Sequence, residues 1–118
     1  MRPKLAETLY AKYLKEREGA FILENETTFL SYKFADKECF IINIHTEKSE
    51  QAKGNARKII EKLAQIASDA ACEVITANVY LWDANASQTL AAAIKVGFKV
   101  TAANNNVLVI TKKVVGGL

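Results

Sequence analysis

The chain has 118 residues, 50% of them apolar and 25% charged, an ordinary globular composition that bounds it to one domain with one core. One Pro and five Gly exclude a collagenous or low-complexity protein. Sixteen Lys and Arg against 13 Asp and Glu leave a net charge of +3, which without a clustered basic face gives no nucleic-acid partner and no membrane partner. Charges spread from Arg2 to Glu18 leave no apolar region for a signal peptide, and runs such as Leu90 to Ile94 are far short of a membrane span. Cys39 and Cys72 lack metal-ligand spacing and have a single histidine in the chain to assist them. Buried free thiols, no metal and a reducing cytoplasm are the expectation.

From Arg2 to Glu18, Leu5, Leu9, Tyr10, Tyr13 and Leu14 recur at helical spacing, and Gly19 follows as a stop, which predicts an amphipathic first helix. Ala20 to Glu24 and Thr28 to Phe34 are β-prone runs joined by polar residues and read as a hairpin. Cys39 to Thr46 is almost continuously apolar, as a strand covered on both faces should be. After a polar stretch, Ile59, Ile60, Leu63, Ile66, Ala67 and Ala70 predict a helix beginning near Gly54. Glu73 to Leu81 is a further strand. Asp83-Ala84-Asn85 then supplies capping chemistry for a helix that Gly97 ends, and Phe98 to Ala103 and Val107 to Lys113 flank the turn-forming Asn104-Asn105-Asn106. The order αβββαβαββ predicts an α/β (α+β) fold with a mixed sheet. Cys39 to Thr46 should lie parallel to Glu73 to Leu81 across the helix between them, with the polar loop at their carboxyl edge.

That loop, Gln51-Ala52-Lys53-Gly54-Asn55-Ala56, approaches a helix start through small residues, where unpaired backbone N–H groups and the positive end of the helix dipole receive phosphate. Lys53, Arg57 and Lys58 add cationic charge. Taken alone, a glycine before a helix is more often an ordinary turn. In its context the segment resembles the glutamine/arginine-x-x-glycine-x-glycine/alanine signature of the GCN5-related N-acetyltransferases (GNAT), carried here by Gln51, Gly54 and Ala56. A second stretch, Asn85 through Gly97-Phe98, resembles the same family's asparagine-initiated helix, and together the two cover roughly Cys39 to Lys113.

The resemblance implies a mixed, mostly antiparallel sheet with helices on both faces, and acetyl-coenzyme A as cosubstrate. It implies that the N–H groups of Lys53, Gly54, Asn55, Ala56 and Arg57 hold the pyrophosphate. The edge of the strand at Ile44 to Thr46 would pair with pantetheine, and Asn85 would lie beside the pantetheine arm. Two departures stand out. The family usually has an additional strand and helix before the part seen here, whereas this chain reads as beginning with one helix. Many members place a tyrosine four residues before the helix-ending glycine to protonate the departing thiolate; here that residue is Ala93.

Amine acetylation needs a neutral amine, a donor for the oxyanion and a proton for the leaving thiolate. Strict alternation puts Ile41, Asn43 and His45 on one face of their strand, and Thr76, Asn78 and Tyr80 on one face of the next, suggesting one polar cluster. His45 reads either as a satisfied strand-end histidine or as a base or water relay, and Tyr80 either as a core tyrosine or as a substitute thiolate acid. Trp82 and Asp83 read as loop-shaping residues. The resulting reading is an N-acetyltransferase acting by direct transfer to an amine acceptor, whether small amine, protein lysine or N-terminus, with a homodimer compatible. Its rival is a catalytically lapsed module of the same fold that binds coenzyme A or a protein; a structural module without ligand is the third reading.

Overall fold

The computed structural model describes residues 4–46, 55–84 and 86–114. Along the chain they form β1 (Lys4–Leu5), α1 (Leu9–Glu18), β2 (Ala20–Glu24), β3 (Thr28–Ala35), β4 (Glu38–Thr46), α2 (Asn55–Asp69), β5 (Val74–Tyr80), α3 (Ala86–Lys95), β6 (Lys99–Asn104) and β7 (Val107–Lys113). Among the described residues the strands make one seven-stranded sheet, ordered β1-β2-β3-β4-β5-β7-β6. Only β4 and β5 run parallel; every other neighbouring pair is antiparallel. This is the mixed, mostly antiparallel class expected, with β4 and β5 joined through α2.

The first segment corrects the sequence reading. Helix begins at Leu9 rather than Arg2, because Thr8 caps it by accepting the Ala11 N–H at 3.1 Å. Upstream, Lys4 and Leu5 pair with Glu24 and Leu23, and the Ala6 N–H donates to the Ile22 carbonyl at 2.8 Å. A free sheet edge thus captures residues whose spacing alone suits a helix, and a short strand precedes the first helix after all. The expected apolar stripe also fails: Leu9 is 84% exposed and Tyr10 and Tyr13 are exposed, while Ala11 and Leu14 are buried against β2. Gly19 ends the helix at φ 65°, a left-handed conformation suited to glycine.

The two hairpins form where read. Between β2 and β3 the Asn25 side-chain oxygen accepts the N–H groups of Thr27 and Thr28 at 3.0 and 2.8 Å. Between β6 and β7, Asn105 and Asn106 take φ of 47° and 68°, the two-residue conformation that matches strand twist and that asparagine tolerates.

The core lies between the sheet and α2. Ile59, Leu63 and Ala67, one helical face, are fully buried against Leu23, Leu30, Tyr32, Cys39 and Ile75. Leu90 and Ala93 of α3, and Val96 just after it, extend it. Gly97 then turns the chain at φ 102°, and the Phe98 N–H returns to the Ala93 carbonyl at 3.0 Å. Both cysteines are buried free thiols. Burial first, then the neighbouring Cys72 and Glu38, pushes the Cys39 thiol up to about 12.

Candidate active site at the opening between β4 and β5

The ladder between β3 and β4 contains one irregularity, and it controls the site. Ser31 pairs with Asn43 while Tyr32 pairs with Ile41, so Ile42 is an extra residue in β4 and is 36% exposed. Before this bulge Cys39 and Ile41 face the core; after it Ile44 packs against the core, and Asn43 and His45 turn to the opposite face. Strict alternation had grouped Ile41 with Asn43 and His45, which the bulge overturns. The strand is also not covered on both faces, for Phe40 is only half-buried and Ile42 is exposed.

On β5, Ile75, Ala77 and Val79 are buried in the core, so Thr76, Asn78 and Tyr80 face away from it. Ile41 lies beside Ala77 in parallel register. Without the bulge, Asn43 would follow Ile41 toward α2; with it, Asn43 and His45 share the face of Asn78 and Tyr80.

Pairing of β4 with β5 runs from Glu38↔Val74 to Ile41↔Ala77 and stops there, although β4 continues to Thr46 and β5 to Tyr80. The two strands therefore part toward their carboxyl ends. Along this opening, the facing backbone edges of both strands have no strand partner among the described residues, a template for an extended ligand. Because β4 leads into α2 and α2 returns to the start of β5, the N-terminal end of α2 lies at the same edge. Asn55, Ala56 and Arg57 form its first turn, whose N–H groups have no partner within the helix.

The expected polar cluster is divided between the two limbs. His45 is exposed with its ring 6.0 Å from Phe29, and Asn43 stands opposite Ser31. Across the opening, Asn78 is half-buried opposite Val109, and Tyr80 is 41% exposed with its ring 4.8 Å from that of Trp82. Tyr80 is thus no core residue, and no hydrogen bond joins these four side chains to one another.

Ile44 contributes backbone at the opening and its side chain to the core. Thr46 ends β4. The Arg57 side chain is tied to Glu61, its Nε donating at 3.1 Å, so it belongs to a wet helix face. Gln51, Lys53, Gly54 and Asn85 lie outside the described residues. Ala93 packs against the core cluster.

Sequence reading took the β2–β3 turn only as a hairpin connection and did not place it beside the opening. Glu24 pairs with Phe29 and Phe29 with His45, so the three form a row across three strands. Asn25 and Glu26 continue it into a hollow of about 280 Å³ that Phe29 and His45 also line. The signal was a register, which a single strand's pattern does not contain. A second hollow, of about 570 Å³, runs along α2 from Arg57 to Ser68 toward the end of α3, where Lys112 Nζ donates to the Val96 carbonyl at 2.6 Å. No group of metal-binding side chains occurs among the described residues, and no described helix is long and apolar enough to cross a membrane.

No family model matches the sequence, and no curated protein matches it. Solved structures match its fold. The PaiA N-acetyltransferase of Thermoplasma acidophilum in complex with coenzyme A superposes with a TM-score of 0.73 at 13% identity, over 89% of this chain and 68% of that one. A Bacillus subtilis acetyltransferase in complex with coenzyme A gives 0.71 at 14% identity over 95% and 97% of the two chains. The ribosomal-protein-S18-alanine N-acetyltransferase of Escherichia coli gives 0.67 at 13%, over 96% and 81%. The chain has the fold of the GCN5-related N-acetyltransferases, and at these identities the likeness is one of fold.

Proposed function

We propose that this protein is an acetyl-coenzyme A-dependent N-acetyltransferase that transfers acetyl directly to an amine in the cytoplasm. The observation that carries the reading is the parting of β4 from β5 beyond Ile41 and Ala77, with the start of α2 at its mouth. An extended pantetheine arm fits as the missing strand, its amides bonding to the free edge of β4 at Ile44 and Thr46. The N–H groups from Lys53 to Arg57 receive the pyrophosphate, and Asn85 flanks the arm.

The amine approaches from the face bearing Asn43, His45, Asn78 and Tyr80. Its nitrogen lone pair attacks the thioester carbonyl, the C–S bond breaks, and the amine loses one proton while the thiolate gains one. His45 accepts the amine proton directly or through water, Asn43 and Asn78 hold that water, and the Tyr80 hydroxyl protonates the thiolate. An N–H on the open β4 edge serves the oxyanion.

Ala93, where a tyrosine acid is usual, favours a second reading: a coenzyme A-binding or protein-binding module whose catalysis has lapsed. Calorimetric titration with acetyl-coenzyme A, followed by thiol release over a panel of amines, separates the two. Binding with transfer supports the enzyme, binding without transfer to any amine supports the lapsed module, and no binding removes both coenzyme A readings.

A further inference from the structure

The groove between α2, the end of α3 and the end of β7 carries a charge surplus that acetyl transfer does not use. Arg57, Lys95, Lys112 and Lys113 line it against one carboxylate, Glu61. That surplus of three positive charges equals the net charge of the whole chain, so the twelve cationic and twelve acidic residues elsewhere cancel. The net charge is small, but it is gathered on one face. Arg57 is already paired with Glu61. Among the described residues Lys95, Lys112 and Lys113 meet no carboxylate. Lys112 donates one N–H to the Val96 carbonyl just beyond α3, which leaves two of its three ammonium hydrogens for an acceptor from outside. Gly97 permits this placement, since a Cβ there would lie 2.7 Å from Lys112 Nζ.

The floor between these charges is apolar: Ile60 is buried, and Ala64, Val96 and Val114 are half-buried. From Arg57 to Ser68 the groove follows α2 for about 16 Å, or about three helical turns. Lys112 and Lys113 stand opposite Ile75 and Val74 at the paired start of β5, whereas the opening lies beyond Ala77. The lysine end is therefore remote from the proposed chemistry. A nucleic-acid strand would match the charge but not the floor, and among the described residues no aromatic ring lines the groove to stack a base. An amphipathic acidic helix matches both, laying its apolar stripe between two helices and its carboxylates on the rim. We propose that this groove docks an acidic amphipathic helix of a partner protein, about three turns long, with its apolar side chains on Ile60 and Ala64 and its carboxylates at Lys95, Lys112 and Lys113. Such docking requires no acetyl transfer.

The test is fluorescence anisotropy with a labelled peptide of about 15 residues that places Leu along one helical face and Glu along its flanks. It is expected to bind saturably, at least tenfold tighter than a scramble of the same composition and than an analogue with Gln for Glu, and to weaken as salt rises. Absence of saturable binding, or equal affinity for the three peptides, overturns the proposal. Lys95→Glu combined with Lys113→Glu reverses two exposed charges and should weaken binding at least tenfold with the circular dichroism preserved. Ser68→Trp fills the groove without changing its charge and should weaken binding to a similar extent, which a merely electrostatic attraction would not show. Unchanged affinity in either variant counts against the assignment. A single-stranded DNA of equal charge that binds more tightly than the peptide would make the groove a nucleic-acid site and overturn the proposal. Displacement of the peptide by coenzyme A would assign the groove to the cofactor and overturn it as well. If coenzyme A does not bind at all, the enzyme reading fails separately, and the peptide titration still decides the docking site.

Discussion

The two halves of β4 have opposite surroundings. From Glu38 to Ile41 the strand is paired on both edges, with Cys39 and Ile41 sealed under α2. From Asn43 to Thr46 it keeps only β3 among the described residues, and Asn43 and His45 are exposed on the other face. Ile42 separates the halves. One inserted residue reverses which side chains meet the core and so lets a strand hold the fold at one end and present polar groups at the other. The comparison teaches that stability and chemistry are segregated along a single element, and this can be broken by mutation.

The largest effect is expected in the sealed half. Ile41→Ala should cost about 2–5 kcal/mol in urea unfolding, because the residue is 5% exposed and its loss leaves a cavity under α2. The same half predicts alkaline weakening. Cys39 is raised from 9.0 to about 12 and Tyr32 from 10.0 to about 12, each chiefly by burial. The folded state therefore favours the neutral forms, and their contribution is full below pH 9 and lost as pH climbs toward 12. A urea midpoint that stays flat between pH 8 and pH 10.5 would contradict this.

In the open half the pattern should invert. His45→Ala is expected to lower turnover about 10²-fold, or about 2.7 kcal/mol, with cofactor affinity and melting temperature nearly unchanged. Tyr80→Phe should selectively lower turnover if its hydroxyl is the thiolate acid; two variants as active as the parent would make these residues bystanders. Gly54→Val should weaken acetyl-coenzyme A binding at least tenfold, about 1.4 kcal/mol, by blocking backbone approach at the helix start. Unchanged affinity with an intact fold would reduce that loop to a helix cap. The smallest change is Thr8→Ala, about 1 kcal/mol of stability and no change in acetyl transfer, since it removes a cap remote from the opening.

Much of the architecture was legible in the chain. Ile59, Leu63 and Ala67 announce the buried face of α2, Gly97 its neighbour's end, and Asn105-Asn106 the last hairpin, because each is a local pattern with a local cause. The failures share a different cause. Lys4 and Leu5 become strand only because β2 has an edge to offer, and the exposure of Leu9 depends on where the sheet ends.

For the site, the sequence by itself determined which groups are available: one histidine, the Asn43 and Asn78 rows, Tyr80, and a glycine-containing loop before a helix. Tertiary structure decided where they act. The bulge at Ile42 moved Asn43 and His45 to the face of Asn78 and Tyr80, the parting of the strands divided the expected cluster between two limbs, and hairpin register brought Glu24 and Phe29 into line with His45. Alternation along one strand is a local property, whereas a bulge, a splay and a register each exist only between strands, and that is why the tertiary structure had to supply them.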